Sequence, residues 1–307
     1  MLDAIRAAVG GNLRLYPSPT SEEARQAVAR LHGVSQDRVA IGNGADELIE
    51  LCFRAFVGKG QGVAFCFPTY PLLIPLCHIH EVEASTHPLG AGWELPPAFA
   101  DDVAPLKFLV NPNSPTGSWI GREPVERVVT RSRGVVVLDE AYVDFAPEDR
   151  QDLLDGHPNL LIMRTFSKSY ALAGMRIGYV LGQPELIAAL GMVKDSYAVD
   201  RLANAAAVAA IEDRAYHDRL VAYVVEERAW LAGELRRRGF EVPASAANFV
   251  FTRPRSRDAR TLAGRLRERK ILVRHYDREP IAGWLRISIG TREQHELLLD
   301  AVQEVTG

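Results

Sequence analysis

The chain has 307 residues, enough for a large core and for one large domain with a smaller one beside it. With 47% hydrophobic and 24% charged residues its composition is that of an ordinary globular protein, and a formal net charge of −3 gives it no overall pull toward nucleic acid. No apolar stretch is long enough to span a bilayer, and the N-terminal MLDAIRAAVGG is too short and too acidic at Asp3 to be a signal peptide.

Along the chain, Thr20 and Glu23 have the spacing of a capping box, and Gly33 marks the end of the helix that follows. Arg38–Ile41 reads as a strand and Asp46–Phe56 as a helix. Gly62–Phe67, Val82–Ala84, Lys107–Val110, Gly134–Leu138, Leu160–Arg164 and Ile177–Leu181 read as further strands. Continuous apolar runs bounded by turns predict buried strands of a mostly parallel sheet between helices, an α/β architecture. After about residue 205 the pattern changes. Helices are predicted over Ala205–Ile211 and His217–Arg238, a strand over Asn248–Thr252, and a helix over Asp258–Arg269. Strands over Ile271–Arg274 and Leu285–Ile289 and a last helix from Arg292 complete a smaller α+β unit. The expected division is a large domain over 34–205, with 1–33 and 206–307 forming the rest.

Cys52, Cys66 and Cys77 lie in apolar surroundings without CxxC spacing and read as buried reduced thiols of a cytoplasmic protein. His78, His80 and His87 lack a convincing carboxylate or thiol set, so no metal site is expected. The arginines at 236–238 and at 253, 255 and 257 read as solvated faces.

Four short segments carry chemistry. Gly42-Asn43-Gly44-Ala45-Asp46-Glu47 joins a strand to a helix, either as an ordinary glycine turn or as a phosphate cradle of backbone amides. It matches neither a Walker A sequence nor GxGxxG, which weakens ATP and dinucleotide readings. Asn111-Pro112-Asn113-Ser114-Pro115-Thr116-Gly117 ends a strand in a tight turn. Asp139, after the apolar run Val135–Leu138, sits where ligands of open α/β sheets bind, as metal ligand, base, counter-ion of a bound cation, or plain strand-end acid. Lys168, in Thr165-Phe166-Ser167-Lys168-Ser169, is either an exposed loop lysine or, if partly desolvated near other positive charge, an amine able to form a Schiff base. Arg176 follows in Gly174-Met175-Arg176-Ile177-Gly178.

Taken together and in this order, these segments resemble the fold type I aminotransferases, which bind pyridoxal 5′-phosphate. The closest likeness is to the histidinol-phosphate aminotransferase family, through LYPSP from Leu15, GNGADE, FPTY, NPNSPTG, VVVLDEAYVDF, RTFSKSYALAGMRIG, KDSYAVDRL, ILVR and LRISIG. The resemblance implies that Lys168 carries the cofactor and moves a proton. Asp139 would pair with the pyridinium nitrogen, and Tyr142 and Asn113 would bond the 3′-oxygen, a task the Ser114 hydroxyl could also serve. Tyr70 would stack on the ring, and Ser167, Arg176 and the Gly44, Ala45 and Asp46 amides would bind the phosphate. Tyr16 would reach the phosphate of a neighbouring subunit, which implies a homodimer with shared sites. Arg286 resembles the family's carboxylate fork and Arg274 its ligand for a substrate phosphate. Tyr197 and Asn248 stand as supporting residues. The implied reaction is transamination of L-histidinol phosphate with 2-oxoglutarate in histidine biosynthesis. The alternatives are a threonine-phosphate decarboxylase or related aminotransferase of the superfamily, and a non-catalytic cofactor-binding protein. Family members also carry an N-terminal Asn-Glu-Asn-Pro arm, whose absence from this sequence bears more on full activity than on cofactor binding.

Overall fold

The computed structural model describes residues 1–10 and 12–306. Its larger sheet uses β1 (Val39–Gly42), β2 (Gly62–Phe67), β3 (Glu83–Pro88), β4 (Leu106–Val110), β5 (Val135–Asp139), β6 (Leu160–Thr165) and β7 (Gly178–Leu181). Their order is β1-β7-β6-β5-β4-β2-β3, and only β7 runs against the others. The central strands are apolar on both faces because helices cover both. In β5 and β6, Val136, Leu138, Leu160 and Ile162 face one core, while Val137, Leu161 and Met163 face the other. Truncating any of these fully buried side chains to alanine removes about 2–5 kcal/mol.

The parallel strands all end at one edge of the sheet. Register sets Asp139 beside Val110 on one side and Met163 on the other, while Thr165 and Gly42 both stand opposite Gly178 on β7. The first residues of helix α3, which spans Gly44–Phe56, lie against that same point. A Cβ on Gly178 would come 2.9 Å from the Ala45 nitrogen, so only glycine lets the helix start and the strand start touch.

Helix α1 (Leu2–Ala8) and helix α2 (Glu22–His32) pack against α8, an alanine-rich helix over Arg201–Glu212 whose first turn is capped by Asp200. Ala24 and Val28 of α2 and Ala203, Ala206 and Ala210 of α8 belong to a core of the larger sheet. Packing therefore sets α1, α2 and all of α8 on the larger sheet, and a boundary at 205 would cut α8. We propose a division at the junction between α8 and α9 (Arg214–Arg237).

The second sheet, in the order β10-β11-β9-β8, comprises β8 (Phe240–Glu241), β9 (Phe249–Pro254), β10 (Arg274–His275) and β11 (Leu285–Ser288). It is antiparallel and shares its core with α9, α10 (Ala259–Glu268) and α11 (Arg292–Thr306). The strand expected over Ile271–Arg274 is shorter than predicted. Lys270 leaves α10 in a left-handed conformation and Leu272 stays exposed, so pairing begins only at Arg274.

Gly33 ends α2 as expected, with φ of 64°. The Thr20–Glu23 capping box does not form. Ser21 takes the N-cap position in a left-handed conformation, and the Glu22 amide donates instead to the Ser18 hydroxyl at 3.2 Å. Helices α4 (Leu73–Ile79), α5 (Ala98–Asp101), α6 (Arg122–Arg131) and α7 (Pro184–Val193) have no counterpart among the predicted elements. Among the described residues no helix is long and apolar enough to cross a membrane, and the three cysteines are buried and unpaired.

Candidate active site

Asp139 is the last residue of β5 and is 5% exposed. Its carboxylate accepts one hydrogen bond, from the Ala141 amide at 3.0 Å. Burial pushes its pKa up to about 6, against the pull of that amide and of the Lys168 charge. A buried carboxylate this sparsely bonded is under-compensated, and a cation in contact with it would lower its cost.

Lys168 sits in the turn after β6. The turn is held by the Ala171 amide on the Lys168 carbonyl, by the Leu172 amide on the Phe166 carbonyl, and by a short hydrogen bond from the Ser169 hydroxyl to Asp144. The Lys168 ammonium stands 5.2 Å from the centre of the Tyr142 ring and makes no hydrogen bond or ion pair among the described residues. Behind it, the Thr165 hydroxyl takes the Ser167 amide at 3.1 Å. Tyr142 in turn meets Phe249 of β9 edge to face at 5.3 Å, which ties the second sheet to the strand-end edge of the first.

The α3 N-terminus forms the other wall. Gly44 has φ of +80°, and a Cβ there would lie 2.7 Å from the Arg176 guanidinium. Arg176 donates to the Asp46 carboxylate at 3.1 Å, whose other oxygen takes the Tyr70 hydroxyl at 2.8 Å. Both partners of the ion pair are about half exposed, at 47% and 46%, so little stability is lost when the guanidinium turns to an entering anion. Helix amides, a glycine with no room for a side chain, Ser167 and Arg176 converge as a phosphate site requires.

These groups line one cavity of about 130 Å³, whose wall includes Ala45, Asp46, Tyr70, Asp139, Tyr142, Ser167, Lys168 and Arg176. Ser114 lines it as well. Asn113 does not: its side-chain amide donates to the Pro68 carbonyl at 3.1 Å and to the Thr116 hydroxyl at 2.8 Å, bracing the turn. Tyr16 lies outside its own chain's cavity, 76% exposed and stacked on Tyr197 with ring centres 4.4 Å apart. The Asn248 carbonyl takes the Ile289 amide where β9 meets β11.

A second cavity of about 760 Å³ shares Tyr70 and Ser114 with the first, and Arg274, Tyr276, Arg278 and Arg286 form its far wall. Arg286 donates to the Ser114 hydroxyl at 3.1 Å and lies 5.0 Å from the Phe249 ring centre. Arg274 and Arg286 are register partners on β10 and β11. Like charges directly opposite in a sheet repel. Neither has an ion pair among the described residues.

Sequence reasoning did not assign the support behind Asp139. Glu140, the residue after β5, is buried and accepts from Arg164, which also reaches Asp149 at 2.8 Å. Burial works against the Arg164 charge, yet these carboxylates and their neighbours outweigh it and raise its pKa. The signal was the adjacent acid pair Asp139-Glu140.

The family model described as "Aminotransferase class I and II" matches residues 1–302. Histidinol-phosphate aminotransferase 1 of Pseudomonas fluorescens (strain Pf0-1) is 43% identical, over 99% of this chain and 88% of that protein. A crystal structure of histidinol-phosphate aminotransferase from Sinorhizobium meliloti in complex with pyridoxal-5′-phosphate superposes with a TM-score of 0.91 at 31% identity, covering 99% of this chain and 87% of that one. An L-threonine-O-3-phosphate decarboxylase from Porphyromonas gingivalis shares the fold, with a TM-score of 0.85 at 24% identity over 99% of this chain and 95% of that one. The match runs almost the full length of the chain, and the chain belongs to the class I and II aminotransferases.

Proposed function

We propose that this chain transfers an amino group from L-histidinol phosphate to 2-oxoglutarate, with pyridoxal 5′-phosphate on Lys168, as a step of histidine biosynthesis. The likeness to the histidinol-phosphate aminotransferases supports the reaction. The observation that carries the donor assignment is the facing pair Arg274 and Arg286, two cations without an ion pair among the described residues, set opposite each other on one cavity wall. A site that tolerates this repulsion is shaped for a ligand with negative charge.

Bound in the smaller cavity, pyridoxal phosphate supplies a sink for the electrons left when the donor carbon loses its proton. Lys168, whose amine makes no hydrogen bond or ion pair among the described residues, would hold the cofactor and carry that proton. Asp139 would keep a proton at the ring nitrogen, whose positive charge would offset the burial that raises the pKa of its carboxylate. Tyr142, Ser114 and Tyr70 are on the cavity wall; the first two would hydrogen-bond the 3′-oxygen and Tyr70 would stack on the ring. Arg176, Ser167 and the amides of Gly44, Ala45 and Asp46 bind the cofactor phosphate. Arg274 takes the donor phosphate and Arg286 the carboxylate of the acceptor. Tyr16 and its stacked neighbour Tyr197 face outward, so Tyr16 is available to a second copy in a homodimer with shared sites. A cytoplasmic location agrees with the unpaired cysteines.

Product analysis tests this reading. Incubation with histidinol phosphate and 2-oxoglutarate is expected to yield glutamate. Carbon dioxide release from threonine phosphate, with no glutamate from histidinol phosphate, would assign the site to a decarboxylase.

A further inference from the structure

We propose that Arg278 is a third cation of the donor site and sets its preference for a phosphorylated donor. This rests on the aminotransferase reading above and adds a residue to it. Arg278 lines the same cavity as Arg274, Tyr276 and Arg286. It reaches from the loop after β10 to the end of β2, where its guanidinium stands 5.7 Å from the centre of the Phe67 ring. That contact holds the cation at the cavity mouth without neutralising it.

Of the two flanking acids, Glu279 makes no ion pair with Arg278 among the described residues, and Asp277 is engaged elsewhere. Asp277 forms a short hydrogen bond with Arg260 and stands 3.3 Å from the His275 ring nitrogen. Arg278 has no ion pair among the described residues, so its charge faces the cavity uncompensated. Charge matching then separates the three arginines. A phosphate monoester carries close to two negative charges at neutral pH, with a second pKa of about 6, whereas a carboxylate carries one. Arg286, bonded to Ser114 beside the cofactor cavity, suffices for a carboxylate. The dianion is matched by Arg274 and Arg278 together. A donor without phosphate leaves these two guanidinium groups of the cavity wall unmatched.

The test compares wild type, Arg278→Gln and Arg278→Lys as cofactor-loaded enzymes. It measures kcat/KM for histidinol phosphate and for unphosphorylated histidinol between pH 5 and 8. In wild type, the preference for the phosphorylated donor is expected to rise through about pH 6 as the phosphate becomes a dianion. Arg278→Gln should lower the ratio of the two kcat/KM values roughly tenfold, through KM, and flatten that rise. Arg278→Lys should restore part of both. Inorganic phosphate should inhibit the Gln variant more weakly than wild type. A wild-type preference left intact by Arg278→Gln, with the same pH profile, would overturn the role of Arg278 alone. A wild type that transaminates but prefers neither donor would overturn both this inference and the histidinol-phosphate reading.

Discussion

At the strand-end edge of the large sheet, Asp139 and Tyr142 are buried, Lys168 is held in a bonded turn, and Glu140 is locked to Arg164 behind them. Across the cavity, the second sheet and the loop after β10 present Arg274, Arg278 and Arg286, none of them in an ion pair among the described residues. The first edge is compensated from within, apart from the Asp139 carboxylate and the Lys168 amine, the two groups that face the cavity. The second is left open, with like charges side by side. The contrast follows from what each edge must do. A cofactor stays, so its site can be fixed by buried groups, whereas donor and acceptor must alternate, so their site keeps its charges free.

Breaking the cofactor edge should have the larger effect. Lys168→Ala removes both the attachment point and the proton carrier, and steady-state turnover should fall by on the order of 10³-fold or more. Asp139→Asn should keep the fold and some cofactor while turnover drops on the order of 10²–10³-fold, because an amide cannot hold the ring nitrogen's proton. Near-normal turnover in that variant would make Asp139 a structural acid.

The same substitution sharpens the comparison through pH. Asp139 has a pKa of about 6 in the folded chain against the usual 3.8, so the folded state binds this proton more tightly than the unfolded one. Stability of the cofactor-free protein therefore falls as pH rises from about 4 to 6, and the full penalty is present above that. Cofactor-free Asp139→Asn should melt higher than cofactor-free wild type at pH 7, by on the order of 1–3 kcal/mol, with the difference vanishing below pH 4. Equal melting temperatures at pH 7 would show that the carboxylate is already compensated.

On the donor edge, Arg274→Ala removes charge-assisted hydrogen bonds of ~1.5–3 kcal/mol, a loss of roughly 10- to 150-fold in kcat/KM for histidinol phosphate. Arg286→Ala should weaken 2-oxoglutarate more than histidinol phosphate, which has no α-carboxylate. Single-turnover kinetics of each half-reaction checks both, and equal losses on phosphorylated and unphosphorylated donors in Arg274→Ala would defeat the phosphate role. The smallest effect is on the fold. Relieving the Arg274–Arg286 repulsion should stabilise ligand-free Arg274→Ala by about 0.2–1 kcal/mol in urea titration.

The cofactor edge was largely legible in the sequence, because its residues lie in short segments at the ends of apolar runs. Once β4, β5 and β6 pair in parallel and the antiparallel β7 joins β6 to β1, Asp139, Lys168 and the Gly44 turn must meet. Asn113 and Ser114 could not be separated that way, since one residue of turn geometry decides which faces the cavity. The Thr20–Glu23 box misled because a left-handed Ser21 shifted the helix start. The grouping of the first 33 residues depended on which layer α2 and α8 share, a tertiary fact without a local signal. On the donor edge, Arg274 and Arg286 were legible singly. Their opposition needs the β10–β11 register, and Arg278 sits in a loop that carries no pattern.

The most direct test of the central claim is borohydride reduction of the purified, cofactor-loaded protein, followed by peptide mapping. The Lys107 amine is buried against the Phe99 and Ala100 carbonyls, and Lys194 donates to the carbonyls of Pro19 and Asp195, whereas the Lys168 amine faces the cavity unengaged. The expected result is a single labelled peptide containing Lys168, lost in Lys168→Ala. A label on Lys107 or Lys194, or on no lysine, would contradict the account.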